Sequence, residues 1–173
     1  MRMLITGGSG FIGTNLVEHF INSGNEVVNL DIAPPRNRKH FPYWQHCDVR
    51  DSAALTRAFL DHTPKVVVHL AARTDLDGRA LSDYSANVEG VGQVLAASLS
   101  LPVRPLLVLM SSMLVCRLGH VPTAEDDYCP STVYGESKVV GEKLVRAVPV
   151  SQLPWVMLRP TSIWGPWFAT PYR

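Results

Sequence analysis

The sequence predicts an α/β protein in which a doubly wound parallel sheet of about six strands lies between two layers of helices. Two observations predict this class. Short apolar runs recur along the chain and are continuous rather than alternating, which is typical of parallel strands covered on both faces. Segments with helical spacing separate these runs, and that alternation indicates right-handed βαβ crossovers within one open sheet.

The apolar runs define the strands in chain order. Five of them lie at residues 3–5, 27–30, 66–70, 106–110 and 155–158. Residues 43–47 form a sixth, shorter candidate strand between the second and third of these runs. We therefore expect residues 66–70 to be the fourth strand and residues 106–110 to be the fifth.

Four segments between the strands have the spacing of helices. The first carries apolar side chains at four-residue intervals from Ile12 and closes at Gly24. The second begins with Asp51, a good N-cap, and stops before Pro64. The third and fourth are expected at about residues 82–98 and 131–147. Residues 33–39 and 111–130 are then loops at the sheet edge, where ligands bind in such folds.

Composition narrows the possible functions. The chain has 173 residues, 46% hydrophobic and 18% charged, which suits one well-buried domain. A net charge of +1 gives no basic excess for nucleic acid, and no apolar run approaches the ~20 residues that cross a bilayer. Three cysteines without CxxC spacing argue against a disulfide framework or a zinc site. We expect a cytoplasmic protein with no nucleic-acid, membrane or metal partner.

Glycines cluster between the first strand and the first helix, in the string TGGSGFIG at residues 6–13. Gly7 or its neighbour would permit the abrupt turn, Gly10 the close approach of a pyrophosphate, and Gly13 the crossing of helix and strand. The helix N-terminus adds free N–H groups and partial positive charge. Glycines alone can merely mark a tight turn, but this strand–turn–helix context predicts a Rossmann dinucleotide site. The cofactor-binding residues expected in this segment are Gly7, Gly10, Phe11, Ile12 and Gly13.

The second predicted strand ends with Asp31. A carboxylate at this position can accept both hydroxyls of an adenosine ribose and would repel a 2′-phosphate. The expected cofactor is therefore NAD rather than NADP. Arg36, Arg38 and Lys39 follow closely, and either they reach a phosphate or they form a solvated loop.

Tyr134 is the one tyrosine with a lysine four residues later, Lys138. On a helix these two side chains share a face, and an ammonium beside a phenol lowers the phenol pKa. This predicts Tyr134 as a proton acceptor, against the alternative of a surface pair on an amphipathic helix. Ser111 and Ser112 end the fifth strand at the same edge of the sheet, where a hydroxyl can bind a substrate oxygen.

With these motifs identified, the chain resembles the extended short-chain dehydrogenase/reductases, in the NAD-dependent sugar epimerase/dehydratase group. The resemblance covers nearly the whole chain. Besides the glycine string and Asp31, it is carried by CDVRD at 47–51, HLAA at 69–72, NVEG at 87–90, MSS at 110–112, YGESK at 134–138 and LRPTSIWGP at 158–166.

The resemblance implies roles for particular residues. Ser112, Tyr134 and Lys138 would form the catalytic set, with Tyr134 taking a proton from a sugar hydroxyl as hydride passes to NAD. Lys138 would also bind the nicotinamide ribose. The remaining cofactor contacts implied are Asp48 and Val49 at the adenine, and Leu70, Ala71 and Ala72 after the fourth strand.

One departure from the family's pattern bears on the reaction. The family's 4,6-dehydratases usually follow the hydroxyl residue with Asp-Glu, whereas Met113 and Leu114 stand here and neither can transfer a proton. This favours epimerase or simple oxidoreductase chemistry on a nucleotide-sugar. An NADP-dependent ketone reductase and a non-catalytic dinucleotide-binding module are the alternatives.

Family members are usually far longer than this chain. We therefore expect residues 1–173 to be a dinucleotide-binding domain that ends where the substrate-binding part begins. The fragment itself is then expected to bind NAD but to turn over poorly. The apolar residues Val91, Val140 and Leu144 would either pack in the core or form the two-fold helix bundle of a homodimer.

Overall fold

A computed structural model describes residues 1–168 of the chain. Its strands are β1 (Arg2–Thr6), β2 (Glu26–Asp31), β3 (Trp44–His46), β4 (Val66–His69), β5 (Leu106–Met110) and β6 (Trp155–Leu158). Within the described range they form one six-stranded sheet in the order β3-β2-β1-β4-β5-β6. Every pairing is parallel, which confirms the predicted fold class.

The helices also follow the sequence prediction. They are α1 (Phe11–Asn22), α2 (Ser52–His62), α3 (Ser85–Ser100) and α4 (Val133–Arg146). Asp51 caps α2 as expected, since its side chain accepts a hydrogen bond from the Ala54 N–H. Helix α3 begins later than predicted because residues 81–84 form a 3₁₀ turn, in which Asp83 accepts hydrogen bonds from the backbone of the preceding turn.

The sheet is covered on both faces, as the continuous apolar strands predicted. Leu4 on β1 belongs to a core with residues of α2, α3 and α4, including Phe59. Its neighbours Met3 and Ile5 point the other way and pack with Val17 of α1. This alternation places α1 on one face and the other three helices on the opposite face.

Helices α3 and α4 pack closely on each other. Val91 of α3 is 5% exposed, and a Cβ added at Gly141 of α4 would lie 3.3 Å from Val91 Cγ2. Of the two interpretations of this apolar face, core packing is therefore the observed one for Val91. Leu144 is 37% exposed, and a homodimer through α4 stays a prediction.

No helix in the part of the chain that the structure describes has the length and apolar character of a membrane span. The predicted domain, residues 1–173, extends into residues 169–173, which lie outside the described residues.

Candidate active site

The glycine loop joins β1 to α1 in a conformation that requires glycine. Gly7 has φ +74°, and a Cβ on it would lie 2.6 Å from the amide N of Ala71. A Cβ on Gly13 would clash with the carbonyl oxygen of Gly7, and one on Gly8 would clash with the side chain of Asn29. Gly7 therefore makes the turn, and Gly13 allows helix and loop to touch.

The loop leaves the N-terminus of α1 open. Among the described residues no side chain caps the start of α1, where Gly10 is the N-cap residue. By contrast, Asp51 caps α2 and Thr132 caps α4. The first N–H groups of a 12-residue helix are thus oriented towards the loop with the positive end of the helix dipole. Close backbone approach and free donors fit a diphosphate, so the residues present suit a dinucleotide.

Asp31 lies at the end of β2 against this loop. Its Oδ2 accepts a hydrogen bond from the Ser9 N–H at 2.9 Å, and its Oδ1 accepts one from the Ala33 N–H at 2.9 Å. These contacts fix the carboxylate beside the glycines, which is the placement that a ribose contact needs. Arg36 donates instead to the carbonyl of Trp167 at 2.6 Å and so ties the last described segment to this edge.

The segment after β4 forms the opposite side of the loop. The Leu70 N–H bonds to the Thr6 carbonyl at 3.0 Å, and the Ala71 N–H bonds to Thr6 Oγ1 at 3.3 Å. Together with the contact at Gly7, these bonds place residues 70–72 next to the glycine loop. Their contact with a cofactor stays a prediction.

Asp48 and Val49 have partners within the protein. Asp48 forms an ion pair with Arg50 at 2.6 Å. Val49 is 5% exposed, and a Cβ added at Gly90 would lie 2.7 Å from its Cγ2. The packing explains why the segment is apolar at this point, and the adenine contacts implied for both residues stay predictions.

The structure brings Ser112, Tyr134 and Lys138 together at the carboxyl edge of the sheet. Ser112 precedes the 3₁₀ turn at residues 113–115 and lies close enough to the Tyr134 phenol to lower its pKa. Lys138 Nζ lies 5.7 Å from the centre of the Tyr134 ring and donates to the Met110 carbonyl at 3.1 Å. Tyr134 is only 8% exposed, so the surface-pair alternative is wrong for this tyrosine.

The expected pKa shift of Tyr134 is not observed. Burial raises the pKa of the Tyr134 phenol above its ordinary value, and the nearby Ser112 side chain opposes this only in part. The expectation that Lys138 lowers the phenol pKa is therefore corrected for the cofactor-free chain. Burial also lowers the pKa of Lys138, to about 8, and its ammonium is directed to the Met110 carbonyl.

Two residues that position this site were missed in the sequence. Asn87 of α3 accepts from the Arg73 N–H at 2.8 Å and donates to Ser137 Oγ at 2.9 Å. Ser137 in turn donates to the Tyr134 carbonyl at 2.6 Å. Asn87 lies in the NVEG string, but no local pattern indicated that it would bridge α3 to the first turn of α4.

Comparisons with known proteins identify the family and the fold of this chain. A profile described as the NAD dependent epimerase/dehydratase family matches residues 3–172. The chain belongs to this family. Curated proteins similar to the chain include a 2-alkyl-3-oxoalkanoate reductase of Stenotrophomonas maltophilia, 31% identical over 96% of this chain and 52% of that protein. A dTDP-glucose 4,6-dehydratase of Neisseria meningitidis is 30% identical over 96% of this chain and 54% of that protein.

Solved structures of the epimerase/dehydratase family show the same fold. The WbmG enzyme of Bordetella bronchiseptica, crystallised with NAD and UDP, is 34% identical with a TM-score of 0.77 over 92% of this chain and 52% of its own. The UDP-glucose 4-epimerase of Thermus thermophilus, crystallised with NAD, is 28% identical with a TM-score of 0.74 over 92% of this chain and 54% of its own. The chain thus spans about half the length of the relatives it matches.

Proposed function

We propose that this chain binds NAD and carries the catalytic set of an epimerase or oxidoreductase that acts on a nucleotide-sugar. One observation carries the proposal. Ser112 and Lys138 both lie beside the buried Tyr134 phenol, at the sheet edge that also holds the glycine loop. The cofactor-bound relatives, crystallised with NAD and UDP or with NAD, support the choice of ligand class.

Each residue has a role that follows from its chemistry. The Ser112 hydroxyl donates to the substrate oxygen, and the Tyr134 phenolate accepts the proton of the sugar hydroxyl. Lys138 supplies positive charge beside the phenol and binds a ribose hydroxyl, while Asp31 accepts the adenosine ribose hydroxyls. NAD, when bound, supplies the hydride acceptor.

Dehydration is the less supported outcome. Met113 and Leu114 follow Ser112 in a 3₁₀ turn, and neither side chain can donate or accept a proton. Water elimination needs a proton donor for the leaving hydroxyl, so epimerisation or net oxidation is proposed.

The cytoplasmic location and the homodimer remain proposals as well.

Replacing Tyr134 tests the catalytic assignment. In this chain, or in a longer form that continues past Arg173, Tyr134→Phe should reduce turnover of UDP-, dTDP- or GDP-sugars by at least about 100-fold, the usual contribution of a general base. NAD affinity measured by calorimetry should change less than about threefold. Turnover is followed by absorbance at 340 nm and by chromatography of the sugars.

Tyr43→Phe is the matched control and should retain turnover. Tyr43 is a tyrosine partly buried against the core that contains Met3, Ile5 and Val17. Full activity of Tyr134→Phe would support the non-catalytic binding module instead. No NAD binding by the wild-type chain would exclude the proposed function as a whole.

A ketone reductase is the second candidate, because a reductase and a steroid dehydrogenase are among the relatives. The 3-beta-hydroxysteroid dehydrogenase of Mycolicibacterium neoaurum is 31% identical over 99% of this chain and 50% of that protein. Calorimetry with NAD and NADP separates the candidates in part. We expect NAD to bind at least about tenfold tighter because Asp31 repels a 2′-phosphate. Tighter NADP binding would overturn the role of Asp31 and favour the reductase.

A further inference from the structure

Glu142 on α4 is a charged residue that the proposed chemistry does not use. It is fully buried, at 0% exposure. Its Oε1 accepts hydrogen bonds from Ser111 Oγ at 2.5 Å and Arg159 Nε at 2.8 Å. Its Oε2 accepts them from the Tyr128 hydroxyl at 2.9 Å and Arg159 Nη2 at 2.5 Å. Four hydrogen bonds therefore hold both oxygens of one carboxylate.

These bonds connect the elements that carry the catalytic set. Ser111 directly precedes Ser112 at the end of β5, and Arg159 directly follows β6. Glu142 lies one helical turn beyond Lys138 on the same face of α4. The carboxylate thus ties the strand ends to the helix at a point next to the reacting groups.

The carboxylate is ionised in this environment. Burial alone would raise the pKa of Glu142, but the hydrogen bonds from Arg159, Ser111 and Tyr128 outweigh it and lower the pKa below its ordinary value. A buried ion pair is sensitive to geometry, because removing one partner leaves the other charge uncompensated. The pair therefore holds β6, β5 and α4 in one arrangement.

Lys138, which the proposed chemistry needs, lies one helical turn before Glu142 on α4. The groups facing it are His69 on β4, the Met110 carbonyl on β5, and Tyr134 and Glu142 on α4. His69 is neutral at pH 7, since burial lowers its pKa to about 3. The charge of Glu142 raises the pKa of Lys138 and so opposes the effect of its burial.

We propose that Glu142 is a positioning residue for this site: it fixes Ser111–Ser112 against α4, and with them the Met110 carbonyl that holds the Lys138 ammonium. The proposal rests on the proposed roles of Ser112, Tyr134 and Lys138. Glu142 itself contacts neither substrate nor cofactor in it.

The test is the titration of Lys138 in the cofactor-free chain. Lysine labelled with ¹³C and ¹⁵N is followed by NMR between pH 6 and 11, and the signal lost in Lys138→Met assigns the residue. In Glu142→Gln the Lys138 midpoint should fall by about one pH unit, because the opposing charge is gone while burial remains. Glu136→Gln, which removes an exposed carboxylate from the same helix, is the control and should leave the midpoint unchanged.

A second variant separates positioning from folding. Glu142→Leu with Arg159→Met removes both charges, and such replacements often preserve or increase stability. We expect this double variant to fold, by near-ultraviolet circular dichroism, with the Lys138 midpoint still below that of the wild type. A wild-type midpoint in either folded variant would overturn the proposal and leave Glu142 a purely structural residue.

The two proposals fail in different ways. The Lys138 midpoint is read without NAD, so it reports on Glu142 whether or not the chain binds the cofactor. Loss of NAD binding in the wild type would count against the proposed function. An unchanged midpoint in a Glu142 variant that still binds NAD would count against this inference alone.

Discussion

His69 lies buried next to the glycine loop, where its Nδ1 is 2.6 Å from Thr6 Oγ1. Burial, with a smaller contribution from the charge of Lys138, lowers its pKa to about 3 from 6.5. The folded chain therefore holds His69 neutral, while the unfolded chain protonates it below about pH 6.5. Thr6 Oγ1 also accepts a hydrogen bond from the Ala71 N–H. The neutral imidazole is thus linked through Thr6 to the backbone beside the glycine loop.

The difference between the His69 pKa in the folded and unfolded chain predicts an acid-sensitive fold. Because the unfolded state binds the proton more tightly between the two pKa values, stability due to His69 is present above about pH 6.5 and is lost as the pH falls towards 3. From pH 7 to pH 5 we expect the free energy of unfolding to drop by about 1–2 kcal/mol from this group. Urea unfolding at several pH values measures the slope.

His69→Gln should flatten that slope even where it lowers stability overall. His46→Gln, on the exposed edge strand β3, should leave the slope as in the wild type. An equally steep slope in His69→Gln would contradict the assignment to this residue.

At the scale of elements, the β1–loop–α1 unit combines a structural role and the proposed cofactor-binding role in four glycines. The left-handed turn at Gly7 and the contact of Gly13 with the loop backbone leave no room for side chains. The same close packing presents the first N–H groups of α1. Local sequence was sufficient to predict the turn, because the left-handed φ of Gly7 and the contact of Gly13 with Gly7 and Gly8 involve neighbours in the chain.

Gly13→Ala should damage both roles. The added Cβ would meet the Gly7 carbonyl and the Gly8 backbone, so the loop must move. We expect a loss of about 1–3 kcal/mol in the free energy of unfolding, as for overpacked cores, and at least tenfold weaker NAD binding by calorimetry. Urea unfolding provides the stability measurement.

Gly92→Ala on α3 is the matched control. Among the described residues, no atom outside its own stretch of helix lies within 4 Å of a Cβ built there, and alanine favours a helix interior by about 0.5–1 kcal/mol over glycine. This variant should be at least as stable as the wild type and should bind NAD equally well. Similar losses in both variants would contradict the steric argument.

At the scale of the whole molecule, the strand order explains why distant segments form one site. Parallel strands end at the same edge of the sheet, and β1, β4 and β5 are adjacent in the order. The glycine loop, residues 70–72 and Ser111–Ser112 therefore follow neighbouring strands. The change of direction between β1 and β4 is where such sheets bind ligands.

Strand β6, at the edge of the described sheet, has one covered and one exposed face. On β6, Trp155 and Met157 pack on the core, whereas Val156 and Leu158 are 45% and 44% exposed.

Most of the architecture was determined by the sequence itself: the six strands, the four helices, the glycine turn, and the spacing that places Tyr134 and Lys138 on one helical face. These features depend on local patterns, so they can be recognised one segment at a time. Only the tertiary structure determined the pKa shifts of the site residues and the long-range hydrogen bonds that hold them in place. The pKa of Tyr134 rises because the fold buries it, and Glu142 meets Ser111 from a position 31 residues away. Burial and long-range pairing arise only when the segments pack together.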